Sequence, residues 1–336
     1  MEIKTLNQTK IDNLQLEEFF KNYPYKEFYF RHLGLNRTEI IKFLCIKLQK
    51  QIEQKKSENN ELWAVIDGEQ IRGIFGIDKN KLHSEIFENN IFEIGPIYNF
   101  KNEVEKVFNV FWNHLIEFTK DYNKVYLKCK MDSSDHKNIA LLNNVGFQYY
   151  ATGQKVLYNH QVGYPKFIDY YHKKNIQKEL LFAVGLLDKE RDIERIFSLI
   201  DQHEKSEHFY NYNEDFDITK TNKLFKEWFM RYISNSKTKV YKLIEKQTEN
   251  IVGFTSFRGP VDIAGRKIFT RDLTVLDKAF RGQGLASVLY NSTINDTKTF
   301  IEGNPMADNY QNIKLNQKCG FDIVQTRSYF KIKLEN

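Results

Sequence analysis

The sequence predicts an α/β chain of the mixed α+β kind, built as two tandem domains. In each, a mixed, mostly antiparallel central sheet is flanked by helices. Three observations predict this. A length of 336 residues is long for one core and suits two. One order of hairpin, helix, strand, helix and closing strand occurs twice along the chain. In the second copy a short loop, Arg281-Gly282-Gln283-Gly284-Leu285-Ala286, joins a strand to a helix. The boundaries are read as 1–162 for the first domain, 163–178 for a linker and 179–336 for the second.

Taken in order, residues 61–68 read as a strand and turn, and residues 70–77 as the returning strand. Their counterparts are 240–245 and 250–257. Both pairs have a polar turn and a glycine early in the second strand, which predicts hairpins. Residues 92–97 and 270–275 lead into the segment where each half's loop belongs. Residues 104–122 carry Val107, Phe108, Phe111, Leu115 and Phe118 at helical spacing, and 285–294 is the matching helix. Short strands follow at 125–129 and 299–301. Each half then repeats one motif, Asn138-Ile139 through Gly146-Phe147 and Asn312-Ile313 through Gly320-Phe321. Each is a helix ended by a glycine cap and followed by a strand. Residues 163–177, with Pro165 and several charges, read as the linker, and a new strand starts within 179–184.

Composition narrows the function classes. A formal charge of +6 is too mild to predict a nucleic-acid or membrane partner, and does not oppose an anionic cofactor. Cys45, Cys129 and Cys319 show no paired spacing, which fits a reducing compartment. No signal-like apolar run opens the sequence and no stretch is long enough to span a bilayer, so a soluble, cytoplasmic protein is expected.

The loop carries the chemistry. Glycines let the main chain approach a ligand closely, and the first-turn amides of the following helix point at whatever anion sits there. No P-loop lysine accompanies it, so a group carrier held by its phosphates is expected rather than a phosphoryl donor. With Leu273-Thr274-Val275 before the loop and the run Asn309-Tyr310-Gln311-Asn312 to Asn316 and Gly320-Phe321 after it, residues 180–334 resemble the GCN5-related N-acetyltransferase family. The first half looks like a degenerate second copy, as in tandem members similar to mycothiol synthase. The resemblance implies that Arg281, Gly282, Gln283, Gly284, Leu285 and Ala286 hold the pyrophosphate of acetyl-CoA. It implies that Leu273, Thr274 and Val275 line the pantetheine arm, and that Asn309, Asn312 and Asn316 contribute to the coenzyme site. The reaction it implies is direct attack by an amine, with no covalent enzyme intermediate.

Acid–base candidates follow from that reaction. Asp272 lies beside the expected thioester, although it would equally suit a pair with Arg271 or Arg266. Glu302 follows the strand 299–301 near the acceptor, or is simply a solvated strand end. Many family members carry a tyrosine where this chain has Asn316, which cannot deliver a proton. Tyr310 and Tyr329 are substitutes, with Tyr329 the one retained, and water is another. His208, Tyr210 and Tyr212 fall in the family's variable acceptor-binding region. The His203–His208 cluster lacks zinc-site spacing, and no metal is expected.

The first half has no glycine pair after residues 92–97, and Glu103 would repel phosphate there. It is expected to lack coenzyme and to wall the acceptor pocket, making the chain a monomer with an internal pseudo-dimer. The leading expectation is an acetyl-CoA-dependent N-acetyltransferase acting on a small-molecule amine. A protein or peptide N-acetyltransferase and a non-catalytic acyl-CoA-binding regulatory module are the alternatives.

Overall fold

The computed structural model describes residues 1–6, 11–23, 28–54, 60–99, 103–175, 177–202 and 216–335. They form two compact units, one of residues 1–152 with 326–336 and one of residues 153–325.

The first unit begins with β1 (Glu2–Thr5) and helices α1 (Asn13–Asn22), α2 (Phe28–His32) and α3 (Arg37–Gln54). It continues through β2 (Asn60–Asp67), β3 (Gln70–Lys79), α4 (Lys81–Phe87), β4 (Asn90–Asn99), α5 (Val104–Thr119), β5 (Lys124–Asp132) and α6 (His136–Asn144), and reaches the start of β6 (Gln148–Asn159). Strands β1 to β4 are antiparallel neighbours in sequence order, whereas β4 and β5 run parallel. The Trp63, Phe75, Phe92, Phe108, Phe111 and Leu115 side chains form its core with Leu142 and Phe147. Phe111, on the apolar stripe of α5, stacks on Phe75 at 4.2 Å between ring centroids.

In the second unit come α7 (His160–Asn175), α8 (Lys178–Leu181), β7 (Phe182–Leu186), α9 (Lys189–Asp201), α10 (Ile218–Ile233), β8 (Thr238–Glu245), β9 (Ile251–Ile263) and β10 (Arg266–Leu276). A single 3₁₀ turn (Lys278–Phe280), α11 (Ala286–Thr297), β11 (Phe300–Gly303), α12 (Tyr310–Lys318) and β12 (Phe321–Glu335) complete the chain. Again β7 to β10 are antiparallel neighbours and β10 runs parallel to β11. One apolar cluster gathers Phe167 and Tyr171 of α7 with Val288, Leu289 and Tyr290 of α11. A separate cluster gathers Ile196 and Leu199 of α9 with Phe229 and Ile233 of α10. Each unit therefore has the mixed, mostly antiparallel strand arrangement expected from the sequence.

Two features depart from the sequence-based organisation. The units do not follow the boundaries at 162 and 179. Residues 327–335 of β12 pair with β5 in the first unit, and residues 156–159 of β6 pair with β11 in the second. Each sheet thus takes its last strand from the far end of the other half of the sequence. The pairing partner of a closing strand depends on tertiary register, which local pattern does not encode. The expected linker is also largely helix. Phe167 and Tyr171 lie one turn apart and are buried, while Lys173 and Lys174 are exposed, so α7 is amphipathic. Gly163 allows it to pack closely, since a Cβ there would lie 2.8 Å from the Gly320 carbonyl oxygen.

No helix among the described residues is long and apolar enough to cross a membrane.

Candidate functional site

The site grows from β10. This strand pairs with β9 out to Leu276, but with β11 only from Ile268 to Arg271, the last pair being Arg271 with Gly303. Register shifts interrupt the β9 pairing on both sides of Thr270–Arg271. Such bulges bend a strand, and here β10 parts from β11 at that point. Beyond it, residues 272–276 have no strand partner on the β11 side among the described residues. Leu273, Thr274 and Val275 therefore lie on an open edge, with unpaired main-chain groups available to an extended ligand.

The loop Arg281–Ala286 follows the 3₁₀ turn and enters α11. Gly282 and Gly284 both adopt φ +76, a conformation that side chains resist. Among the described residues the amides of Gly282, Gln283, Gly284, Leu285 and Ala286 find no acceptor. Buried Leu285 anchors the loop in the core. Arg281 supports it from behind: Nε donates to the Leu276 carbonyl at 3.1 Å and Nη2 to the Gln202 carbonyl at 3.3 Å. Its guanidinium is thus a brace between β10 and α9.

Lys178, which sequence reasoning placed in the linker, stands over the cradle. A Cβ built on Gly284 would lie 2.8 Å from its Nζ. A chain of hydrogen bonds through buried Asn175 and Ser287 sets it there. Nζ donates to Asn175 Oδ1 at 3.0 Å, Asn175 Nδ2 to Ser287 Oγ at 2.8 Å, and Ser287 Oγ to the Gly284 carbonyl at 2.6 Å. Partial burial and the nearby Lys174 charge hold the Lys178 ammonium below its ordinary range, the pattern of a cation without an anion beside it among the described residues.

Asp272 and Arg271 are consecutive and point to different layers, as strand residues do. Asp272 faces α10. It accepts from the Tyr232 hydroxyl and meets Arg258 Nε at 3.1 Å. Burial raises its pKa above the usual carboxylate range, and Glu302 adds to the rise. The pair with Arg271 considered from sequence does not form, because Arg271 packs toward α11 and α12. There its guanidinium carbon lies 3.7 Å from the Tyr290 ring centroid, and Nη2 donates to Asn316 Oδ1.

The remaining candidates divide. Glu302 is a half-buried, paired carboxylate rather than a solvated strand end: Lys155 Nζ lies 2.6 Å away and Thr270 Oγ1 donates at 3.1 Å. Asn309 caps α12 by accepting from the Asn312 amide at 3.1 Å, and Asn316 Nδ2 donates to Asn312 Oδ1 at 2.6 Å. These asparagines form one hydrogen-bonded cluster with Tyr290, whose hydroxyl donates to Asn312 Oδ1 at 3.4 Å. Tyr329 belongs to the first unit, opposite Lys130 of β5 and beside the Tyr150 ring. His208, Tyr210 and Tyr212 lie outside the described residues. Sequence reasoning missed Lys178 and the role of Arg271. Only the strand's in–out alternation hinted that Arg271 and Asp272 part company.

In the first unit, β4 likewise pairs with β5 only as far as Ile94 with Cys129, and continues alone to Asn99 beside β3. Residues 100–102 lie outside the described set. Glu103 precedes α5 with no side-chain cap, 3.6 Å from Arg72 Nε.

No family model and no curated protein sequence matches the chain. Solved structures do match by shape. One is a tandem GNAT (GCN5-related N-acetyltransferase) protein from the clavulanic acid biosynthesis pathway, solved without acetyl-CoA. It has a TM-score of 0.53 at 11% identity, over 99% of this chain and 98% of that one. A GCN5-related N-acetyltransferase from Sphaerobacter thermophilus has a TM-score of 0.59 at 8% identity, over 87% and 86% of the two chains. A GCN5-related glucosamine N-acetyltransferase region within a fungal multi-domain β-N-acetylglucosaminidase reaches 0.57 at 8% identity, over 98% of this chain and 38% of that one. With the parted strands, the glycine cradle and their repetition, these likenesses lead to one conclusion. The chain has the fold of the tandem GCN5-related N-acetyltransferases.

Proposed function

We propose that this protein is an acetyl-CoA-dependent N-acetyltransferase that transfers acetyl to the primary amine of a small molecule by direct attack on the thioester. One juxtaposition carries the reading. Five amides without acceptors among the described residues, two positive-φ glycines and the Lys178 ammonium converge at the start of α11, beside the open edge of β10. Helix N-termini with free amides suit phosphate, and a cation over them suits a pyrophosphate better than a neutral ligand.

The residues present fit the coenzyme in the order its parts require. The amides of residues 282–286 and Lys178 bind the pyrophosphate. The edge of Leu273, Thr274 and Val275 pairs with the amides of the pantetheine arm, which brings the thioester to the point where β10 and β11 part. Asp272 takes the proton of the attacking amine. Burial makes it a stronger base than an exposed aspartate, and Tyr232 with Arg258 fixes its orientation. Amine and coenzyme then meet from different layers of the sheet. The mild net charge does not suit recognition of basic protein tails, and one similar structure is described as a glucosamine N-acetyltransferase region; both favour a small acceptor.

Purified protein is expected to bind one acetyl-CoA per chain by calorimetry, and to release free thiol when a panel of amines and amino sugars is supplied. Gly284→Asp places a carboxylate among the cradle amides and strains a φ +76 backbone. Its acetyl-CoA affinity should fall by roughly 100-fold or more, since like-charge juxtaposition costs several kcal/mol. Unchanged affinity in that variant removes the cradle assignment.

A further inference from the structure

We infer that Arg271 is a catalytic residue that stabilises the coenzyme A thiolate as it leaves. This rests on the acetyltransferase reading above and adds the group that answers the missing tyrosine at Asn316. Arg271 is 6% exposed. Among the described residues its Nη2 reaches Asn316, and Nη1 is buried with no hydrogen-bond partner. The guanidinium lies against the rings of Tyr290, at 3.7 Å, and Phe321, at 4.7 Å. None of these contacts neutralises it. Burial raises the Tyr290 hydroxyl and pushes the nearby Cys319 thiol up to about 12, so both stay uncharged near neutrality. Asp272, its neighbour in sequence, is held by Arg258 in the other layer.

A buried guanidinium with no counter-charge among the described residues is costly and needs a reason. Its place supplies one. Arg271 and Gly303 form the last pair before β10 and β11 part, which is the vertex where the two strands separate. A Cβ on Gly303 would lie 3.4 Å from Arg271 Nη2 and 3.3 Å from Val156 Cγ2, so glycine keeps the wall beside the guanidinium thin. A thioester drawn along the β10 edge reaches that vertex with Asp272 in one layer and Arg271 in the other. In the transfer the amine nitrogen forms its bond to the acetyl carbon and gives its proton to Asp272. The carbon–sulfur bond breaks, and its electron pair stays on sulfur as a thiolate. A guanidinium does not surrender a proton near neutrality, so it meets that charge as an ion pair, and solvent protonates the coenzyme after release. Asn316 orients the guanidinium instead of acting as an acid.

The test is binding of coenzyme A, with its free thiol, followed from pH 6 to pH 9 by calorimetry and by the ultraviolet absorbance of the thiolate. The wild-type protein should bind the thiolate roughly tenfold to a thousandfold more tightly than the thiol, as an opposite charge at close range dictates. Desulfo-coenzyme A should show no such pH dependence. Arg271→Met should abolish the preference, leave desulfo-coenzyme A affinity unchanged and lower kcat by about 100-fold. Arg271→Lys should restore part of the preference, and a thermal melt of each variant separates unfolding from chemistry. Should Arg271→Met not fold, the wild-type titration decides alone. Binding of coenzyme A with an unshifted thiol overturns this assignment and spares the acetyltransferase reading. Absence of any coenzyme binding overturns that reading itself.

Discussion

The two units part the same pair of parallel strands and fill the vertex with opposite chemistry. In the first, the last strand pair is Ile94 with Cys129, and both share one buried apolar core with Phe108 and Leu142. In the second, the last strand pair is Arg271 with Gly303, and the matching helix positions hold Tyr290 and Asn316. After Ile94 comes Gly95, whereas after Arg271 comes Asp272. The contrast continues at the helix start. Glu103 sits before α5 beside Arg72, where α11 offers free amides under Lys178. The comparison teaches that parted strands are a property of the architecture, and that only the polar vertex with its cradle makes them a candidate reaction site.

Breaking the contrast at its acid–base end should have the largest effect. Asp272→Asn should lower kcat/KM by about 10²- to 10⁴-fold, the range for a lost general base. The sign with pH is fixed by burial. A raised pKa keeps more of Asp272 protonated at a given acidic pH, and the base works only when deprotonated. The wild-type kcat/KM should therefore climb with pH through a limb above the ordinary carboxylate value of about 3.9. Asp272→Asn should lose that limb and keep the one belonging to the acceptor amine. A limb that survives in the variant assigns the base elsewhere.

The cradle end should respond less. Lys178→Ala should weaken acetyl-CoA binding by about tenfold, since hydrogen bonds to charged groups contribute roughly 1.5–3 kcal/mol. It should also flatten the salt dependence of the dissociation constant, and leave dephospho- and full-length coenzyme equally affected if the contact is to pyrophosphate. The smallest effect should come from the first unit. Glu103→Gln removes the charge before α5, yet calorimetry should still count one coenzyme per chain with unchanged affinity. A second site appearing in that variant would mean that charge alone had closed the first unit to ligand.

Local pattern carried much of this. The repeat, the hairpins, the glycine caps at Gly146 and Gly320 and the Arg281–Ala286 loop were all legible, because each depends on periodicity or on a backbone conformation only glycine favours. Lys178 was not legible, because it lies about a hundred residues before the loop and reaches it only through Asn175 and Ser287. Arg271 was considered, with Arg266, only as an alternative partner for Asp272, since the sequence places 271 and 272 side by side and packing against α10 and α11 separates them. The pairing of Glu302 was not legible for the same kind of reason: Lys155, its partner, comes from a strand of the other sequence half.

The exchanged closing strands also set an order of events. Ser133 and Ser328, whose hydroxyls meet at 2.9 Å, are 195 residues apart in sequence. Contacts of such separation close large loops and slow folding. The sheet of the first unit cannot be finished until β12 has been synthesised, although its other strands leave the ribosome long before. Until then β5 exposes an unpaired edge, the feature that invites pairing with other chains. A chain cut after residue 325 would keep every residue of the proposed reaction site. It should nonetheless accumulate as aggregate, because what it lacks is the strand that protects its other half.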